Sequence, residues 1–458
     1  MNSMYKALAI AACASLLWAG LAAAQDQDAL EDLGKRVFFD NISNPPRQAC
    51  ATCHVPANGW TAGVAAINLG QVAVTGANPH TVGGRKPPSA AYAHVSPDFG
   101  ERIPDSGLCA AGLGRLCIGG VFWDGRADGT AIGDEVFDGD LLLQAAYQQF
   151  LGPTADQALG PFPNDVEQNV PNGNDGGLPG AEAVCRHVED ARYAELFEFA
   201  WNEPIDCEPD RVALSFKRIA VAISAFEHSD EVNSFSSKRD MALLTDDDAN
   251  PGEFPLAGLT AEENQGHDLF YGITSQANPS GKNANCALCH NSEGPGSLGD
   301  ELEQLYSDQA FHDLGLPPNF EIANFDPNNP DVGLEGFTGN PGHKGDFRTP
   351  TMRNVDKRVG AGFPKAYMHN GYFKNLEDVV HFYNTASLKE DPVACPAGTT
   401  AAEARANDCW PSAELPGGSA RGAVFGDLGL TEAEEAAIVA YLKTLSDTET
   451  VTQPLPYH

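Results

Sequence analysis

Basic residues are scarce in this chain: 28 Lys and Arg stand against 63 Asp and Glu in 458 residues, a formal net charge of -35. A field of that sign repels phosphate backbones and excludes nucleic acid as a partner. It serves solubility, and it suits basic proteins or weakly charged small molecules as partners. Past residue 24 no apolar run approaches the ~18 residues that a membrane-spanning helix requires. Strict alternation of apolar and polar residues, the mark of a half-buried strand, is also rare. These absences exclude a membrane-embedded chain and a sheet-built one, and leave helices joined by long loops.

What is present is a repeated motif. Cys50-Ala51-Thr52-Cys53-His54 and Cys286-Ala287-Leu288-Cys289-His290 lie about half the chain apart. In each, the two thiols are spaced to add to haem vinyl groups, and the following histidine is placed to bind iron. A bare Cys-x-x-Cys serves zinc or thiol–disulfide chemistry equally well. Two complete copies, each closed by histidine, point to two covalently bound c-type haems. One motif per half also suits two domains.

At the N-terminus Lys6 precedes the apolar stretch Ala7 to Ala23, and Ala22-Ala23-Ala24 offers a small-residue cleavage site before Gln25. Residues 1–24 therefore read as a signal peptide, and the mature protein as periplasmic. Ile10-Ala11-Ala12-Cys13 resembles a lipoprotein box, but the apolar stretch continues well past it. Setting aside Cys13 and the four motif thiols, 11 cysteines leave Cys109, Cys117, Cys185, Cys207, Cys395 and Cys409. The simplest pairing is three local disulfides, Cys109–Cys117, Cys185–Cys207 and Cys395–Cys409, although six cysteines permit 15 connectivities. An exported compartment lets such bonds persist.

Helical spacing of apolar residues predicts helices over Ala29–Phe39, Arg211–Phe226, Ala261–Tyr271, Leu376–Tyr383 and Thr431–Leu445. Thr431 ahead of Glu432 and Glu434 reads as an N-cap with an acidic first turn. Gly/Pro/Asn-rich stretches at 150–180, 244–256, 317–345 and 392–420 read as loops. The stretch Thr245–Pro255 is the candidate linker, which gives domains 25–248 and 249–458. Leu33-Gly34-Lys35-Arg36-Val37-Phe38-Phe39 before the first motif resembles Gly266-His267-Asp268-Leu269-Phe270-Tyr271 before the second, as duplication of one domain would produce.

Five further segments stand in a telling order: Val37-Phe38-Phe39-Asp40, Phe122-Trp123-Asp124-Gly125-Arg126-Ala127, Phe311-His312-Asp313-Leu314-Gly315, Phe347-Arg348-Thr349-Pro350-Thr351-Met352-Arg353-Asn354-Val355 and Tyr367-Met368-His369-Asn370-Gly371. With the two haem motifs, they make the chain resemble the bacterial dihaem cytochrome c peroxidases of the MauG-containing family over essentially its whole mature length. The resemblance implies an all-α fold of two cytochrome c-like domains, with His54 on the iron of a peroxidatic haem 1 and His290 on the iron of haem 2. Reductively activated members carry a methionine on haem 2; here that position resembles Tyr383, as in MauG-like proteins. Helical spacing independently sets Leu376, Val379, Val380 and Tyr383 on one face. Met352 and Met368 are the rival ligands.

For haem 1, Gln157, Pro161 and Glu167 resemble the family's distal pocket. Glu167 is then the acid–base group that moves a proton between peroxide oxygens. An inserted stretch between Arg126 and Gln157 departs from the usual pattern. The resemblance places Trp123 between the haems as an electron relay, a role compatible with that of a buried core aromatic. Arg126 and Arg353 suit haem propionates or structural carboxylates. His80 lies in the loop that closes haem 1 in methionine-ligated members, yet its neighbours match nothing specific and it reads as a surface residue. The family holds a calcium ion between its domains; Lys86 takes the place of the liganding asparagine, and a cation there could replace the metal's charge.

The expected function is a periplasmic enzyme that uses hydrogen peroxide to form a high-valent, paired Fe(IV) state and oxidises an external substrate, a protein side chain such as tryptophan. The alternative is reduction of peroxide to water with electrons from a small cytochrome c or cupredoxin. A pure electron carrier would need strong sixth ligands on both irons, and one convincing candidate is present.

Overall fold

The computed structural model describes residues 27–173, 175–247, 252–293, 297–416, 420–451 and 453–454. Helix α1 (27–39) forms because Leu30, Leu33, Val37 and Phe38 fall on one stripe, and all four are buried. It crosses α4 (Val212–His228), after α2 (Pro153–Leu159) and α3 (Ala181–Asp190). The crossing is tight: a Cβ on Gly34 would sit 1.8 Å from the Ala222 carbonyl oxygen, so only glycine fits. Beyond α5 (Lys238–Leu244), α6 (Ala261–Tyr271) crosses α8 (Glu432–Lys443) in the same way, and a Gly266 Cβ would lie 2.0 Å from the Ala437 carbonyl. Helix α7 (Leu376–Thr385) packs beside α8.

Local signals fix the ends. Ser237 with Asp240, Thr260 with Glu263 and Thr431 with Glu434 each form a reciprocal capping box at the start of α5, α6 and α8. Gly272, left-handed at φ 70°, ends α6. One hydrophobic core draws on residues from Leu30 to Val232, and a second on residues from Leu269 to Leu445. The expected domain boundary at 248/249 lies outside the described residues, as does the expected signal segment.

Strand content is small, as the missing alternation implied. β1 (Gly100–Glu101) pairs antiparallel with β2 (Cys117–Ile118), and β3 (Phe311–Asp313) with β4 (Asp346–Arg348). An Ile118–Ala310 bridge joins the two ribbons. The three local disulfides are all formed, and the four motif cysteines remain free thiols. Among the described residues no helix is long and apolar enough to cross a membrane.

Three loops expected from composition contain helices, that in 317–345 being the single turn Glu335–Thr338. Within 150–180, α2 begins with Pro153 in its first turn, where the missing amide costs nothing. Within 392–420, Ala401–Ala406 is helical because Thr400 and Glu403 cap it reciprocally. Gly34→Ala and Gly266→Ala should each destabilise the protein by about 1–3 kcal/mol through overpacking, measured by urea unfolding. Gly360→Ala, with nothing within 4 Å of the added methyl, should be neutral in the same assay.

Candidate active site: two cavities with a common wall

The first motif forms a short helix, Cys50–Cys53, and His54 follows at its end. His54 Nδ1 lies 3.2 Å from the Trp60 carbonyl, which can only accept, so this nitrogen carries the proton. Burial lowers the His54 pKa to about 4. The ring is therefore neutral, with Nε2 free to bind a metal. His290 repeats the device: its Nδ1 donates to the Tyr306 carbonyl at 2.9 Å, and burial lowers its pKa to about 4. Both acceptor residues hold left-handed backbone, φ 59° at Trp60 and φ 56° at Tyr306. Bulky residues rarely adopt that conformation, and each turn aims a carbonyl at its histidine.

Cys50, Cys53 and His54 line a cavity of about 720 Å³ together with Gln157, Pro161 and Glu167. Asn164 Nδ2 donates to Glu167 Oε1 at 3.0 Å. Burial raises the Glu167 pKa above the usual carboxylate value, against the opposing pull of Arg126. Arg126 reaches the same cavity, stacks 3.8 Å over the Phe122 ring and donates to Asp124 at 2.9 Å.

Cys286, Cys289 and His290 line a second cavity, of about 620 Å³. Leu376, Val379, Val380 and Tyr383 all face it, so the helical face read from spacing is the inner face of α7. Burial, with the Cys289 and Cys286 thiols, raises the Tyr383 pKa above its ordinary value, and no hydrogen bond contributes. Met352 and Met368 line the same cavity.

Trp123, Asp331, His369 and Glu414 line both cavities. The Trp123 indole donates from Nε1 to the Lys86 carbonyl at 2.7 Å and meets the His369 ring edge-on at 6.3 Å. His369 stacks on Phe347 at 3.5 Å. Arg85 braces the wall by pairing with both Asp124 and Asp331 at 2.6 Å. His369 stood in a motif, but sequence gave it no role, because its neighbours come from remote segments.

Each motif pairs two free thiols with a neutral imidazole, tied at one nitrogen and open at the other, beside a large cavity. That donor set fits a covalently bound c-type haem. Residues 28–248 match the di-haem cytochrome c peroxidase family. Relatives and solved structures extend that likeness over nearly the whole chain. It is 28% identical over 428 residues to the methylamine utilization protein MauG of Paracoccus denitrificans, covering 92% of this chain and 89% of that one. It is 25% identical over 438 residues to cytochrome-c peroxidase IdrP2 of a Pseudomonas species, covering 91% of this chain and 81% of the other. Among solved structures, the diheme peroxidase BthA of Burkholderia thailandensis aligns at TM-score 0.62 and 25% identity over 93% of this chain and 90% of its own. This di-haem peroxidase is thus helix-built, with two haems and a redox function.

Of the remaining expectations, that of haem contact by Arg353 is corrected and that of a surface His80 holds. Arg353 reaches neither cavity; it is 1% exposed, its guanidinium pairs with Asp240 at 2.8 and 3.0 Å, and it lies 4.2 Å over the Phe235 ring. Of its two expected roles, the geometry gives the structural carboxylate and corrects the assignment to haem. His80 is exposed and does not line the His54 cavity. Lys86 is 7% exposed, with Nζ donating to the Pro87 carbonyl at 3.1 Å, and the ammonium of Lys365 lies nearby on the Asn354 carbonyl at 2.8 Å. Two buried lysine nitrogens do not fit the oxygen ligand set that calcium takes. Arg353→Met should cost about 3–5 kcal/mol by stranding Asp240, read from denaturant unfolding, while the haem content per folded chain stays unchanged.

Proposed function

We propose that the protein uses hydrogen peroxide at the His54 cavity and oxidises an external substrate through the Tyr383 side, by long-range electron transfer. When bound, the haems supply the capacity to cleave peroxide and to store its oxidising equivalents. Glu167 takes a proton from one peroxide oxygen and delivers it to the other, so that the O–O bond breaks with water leaving. Its raised pKa suits a group that must both hold and release that proton. Gln157 and Pro161 shape the space above His54. Trp123, which lines both cavities, is the relay between them.

The observation that carries this reading is Tyr383, a phenol on the second cavity to which no group among the described residues hydrogen-bonds. Burial favours its protonated form, so a phenolate there would need a cation facing it, and a haem iron held by His290 would supply one. In this reading the substrate is a protein side chain such as tryptophan. The -35 charge favours a basic partner surface. The N-terminal signal reading places the enzyme in the periplasm, in two cytochrome c-like domains divided near residue 248.

A second reading has its own observation: Met352 and Met368 also line the Tyr383 cavity. A methionine on haem 2 would make the enzyme a cytochrome c peroxidase fed by a small cytochrome c or cupredoxin. Tyr383→Phe should change the low-spin haem spectrum; an unchanged spectrum, with a change in Met368→Leu or Met352→Leu instead, would select the second reading. Glu167→Gln should slow the reaction with peroxide by on the order of 10²-fold or more, followed by stopped-flow absorbance.

A further inference from the structure

The His54 cavity holds a second carboxyl that the chemistry of Glu167 leaves unused. Glu227, in the last turn of α4, lines that cavity yet is 5% exposed. Among the described residues nothing hydrogen-bonds its carboxyl, and burial raises its pKa to about 8. An unpartnered acid in such a place costs stability, and a merely structural one would be paired.

The internal duplication shows how unusual the position is. Superposing the Gly34–Ala222 crossing on the Gly266–Ala437 crossing equates Phe38 with Phe270, Ile223 with Ile438 and Glu227 with Leu442. All six side chains line their own cavities. Two pairs are identical, and the third sets an acid where the second cavity has leucine.

Glu227 and Gln168 both face Cys50, the attachment thiol and not the iron ligand. Burial first, and the Glu227 carboxyl second, raise the Cys50 pKa to about 12. Gln168 Nε2 lies 3.8 Å from Cys50 Sγ, and its Oε1 is buried without a partner. The other charged or titratable groups lining the cavity are Cys53, His54, Arg85, Lys86, Asp124, Arg126, Glu167, Asp326, Asp331, His369 and Glu414, and none contributes to the Glu227 shift. Once the thiols are thioethers, Glu227 would be the titratable group facing the Cys50 attachment point.

We propose that Glu227 is a proton-exchanging partner of haem 1, releasing one proton to solvent for each electron withdrawn from that haem and taking it back on reduction. This rests on the two-haem reading above. The electron goes to peroxide in turnover, or to a redox mediator in a titration. Withdrawing it adds a unit of positive charge to a poorly solvated cavity, where a nearby carboxylate offsets it strongly. At the equivalent position in the second cavity, Leu442 offers no such group.

The test is a spectropotentiometric titration of the holoenzyme between pH 6 and 9, after the pyridine haemochrome absorbance has counted the haems. Wild type should hold two haems, with the haem-1 equilibrium shifting up to tenfold per pH unit, about 59 mV for one electron, on the alkaline side of Glu227 protonation in the oxidised state. The haem-2 cavity carries Asp346 and Glu414, both carboxyls pushed up to about 7 by burial, so any haem-2 slope should be the same in wild type and in the Glu227 variants. Glu227→Gln and Glu227→Leu, the latter copying the second cavity, should flatten haem 1, while Glu167→Gln keeps the slope. A slope that survives in both Glu227 variants, or is absent from wild type, overturns the proposal and leaves the two-haem reading intact; fewer than two haems per chain would overturn both.

Discussion

Each iron-facing imidazole depends on one backbone carbonyl. The hydrogen bonds from His54 to Trp60 and from His290 to Tyr306 fix the tautomer, keep the ring neutral and leave the opposite nitrogen pointing at a cavity. Those carbonyls are available only because an aromatic residue accepts a left-handed backbone in each half. The residues in turn are held by the packed helix pairs behind them, which close through a single glycine at each crossing. The same arrangement built twice gives two sites from one set of constraints.

Function then follows from how the copies differ. One cavity carries Glu167, Gln157 and Glu227, a polar end suited to proton traffic; the other is walled by Leu376, Val379, Val380 and Leu442, with Tyr383 as its unsatisfied phenol. Between them the partition is one side chain thick at Trp123, held by its bond to the Lys86 carbonyl and by Arg348 N–H donating to its own carbonyl at 2.9 Å. Lys86 thus contributes backbone to the partition, while its own side-chain nitrogen stays buried on the Pro87 carbonyl.

Much of this was legible in the chain, and the reasons are local. The motifs, the capping boxes at Thr260 and Thr431, and the α7 face that carries Tyr383 are all encoded within a few residues. The helix beginning at Pro153 was not, because proline reads as a breaker unless its first-turn position is known. Helix α3 escaped because its buried stripe is Ala181, Val184, Cys185 and Val188, small residues in an acidic stretch. The roles of Arg353 and His369 were beyond reach for a different reason. Asp240 lies 113 positions from Arg353, and Trp123 comes to His369 from the other half of the chain. Glu227 is the same case, visible only once α4 is seen to stand over Cys50.

The central claim is that the two sites act together, one open to peroxide and one closed by Tyr383. The most direct measurement is the EPR spectrum of the ferric protein before and after one equivalent of hydrogen peroxide, with no reductant present. The account predicts one high-spin and one low-spin haem signal, both lost together with little organic radical formed. Two low-spin signals that ignore peroxide until an electron donor is added would contradict it.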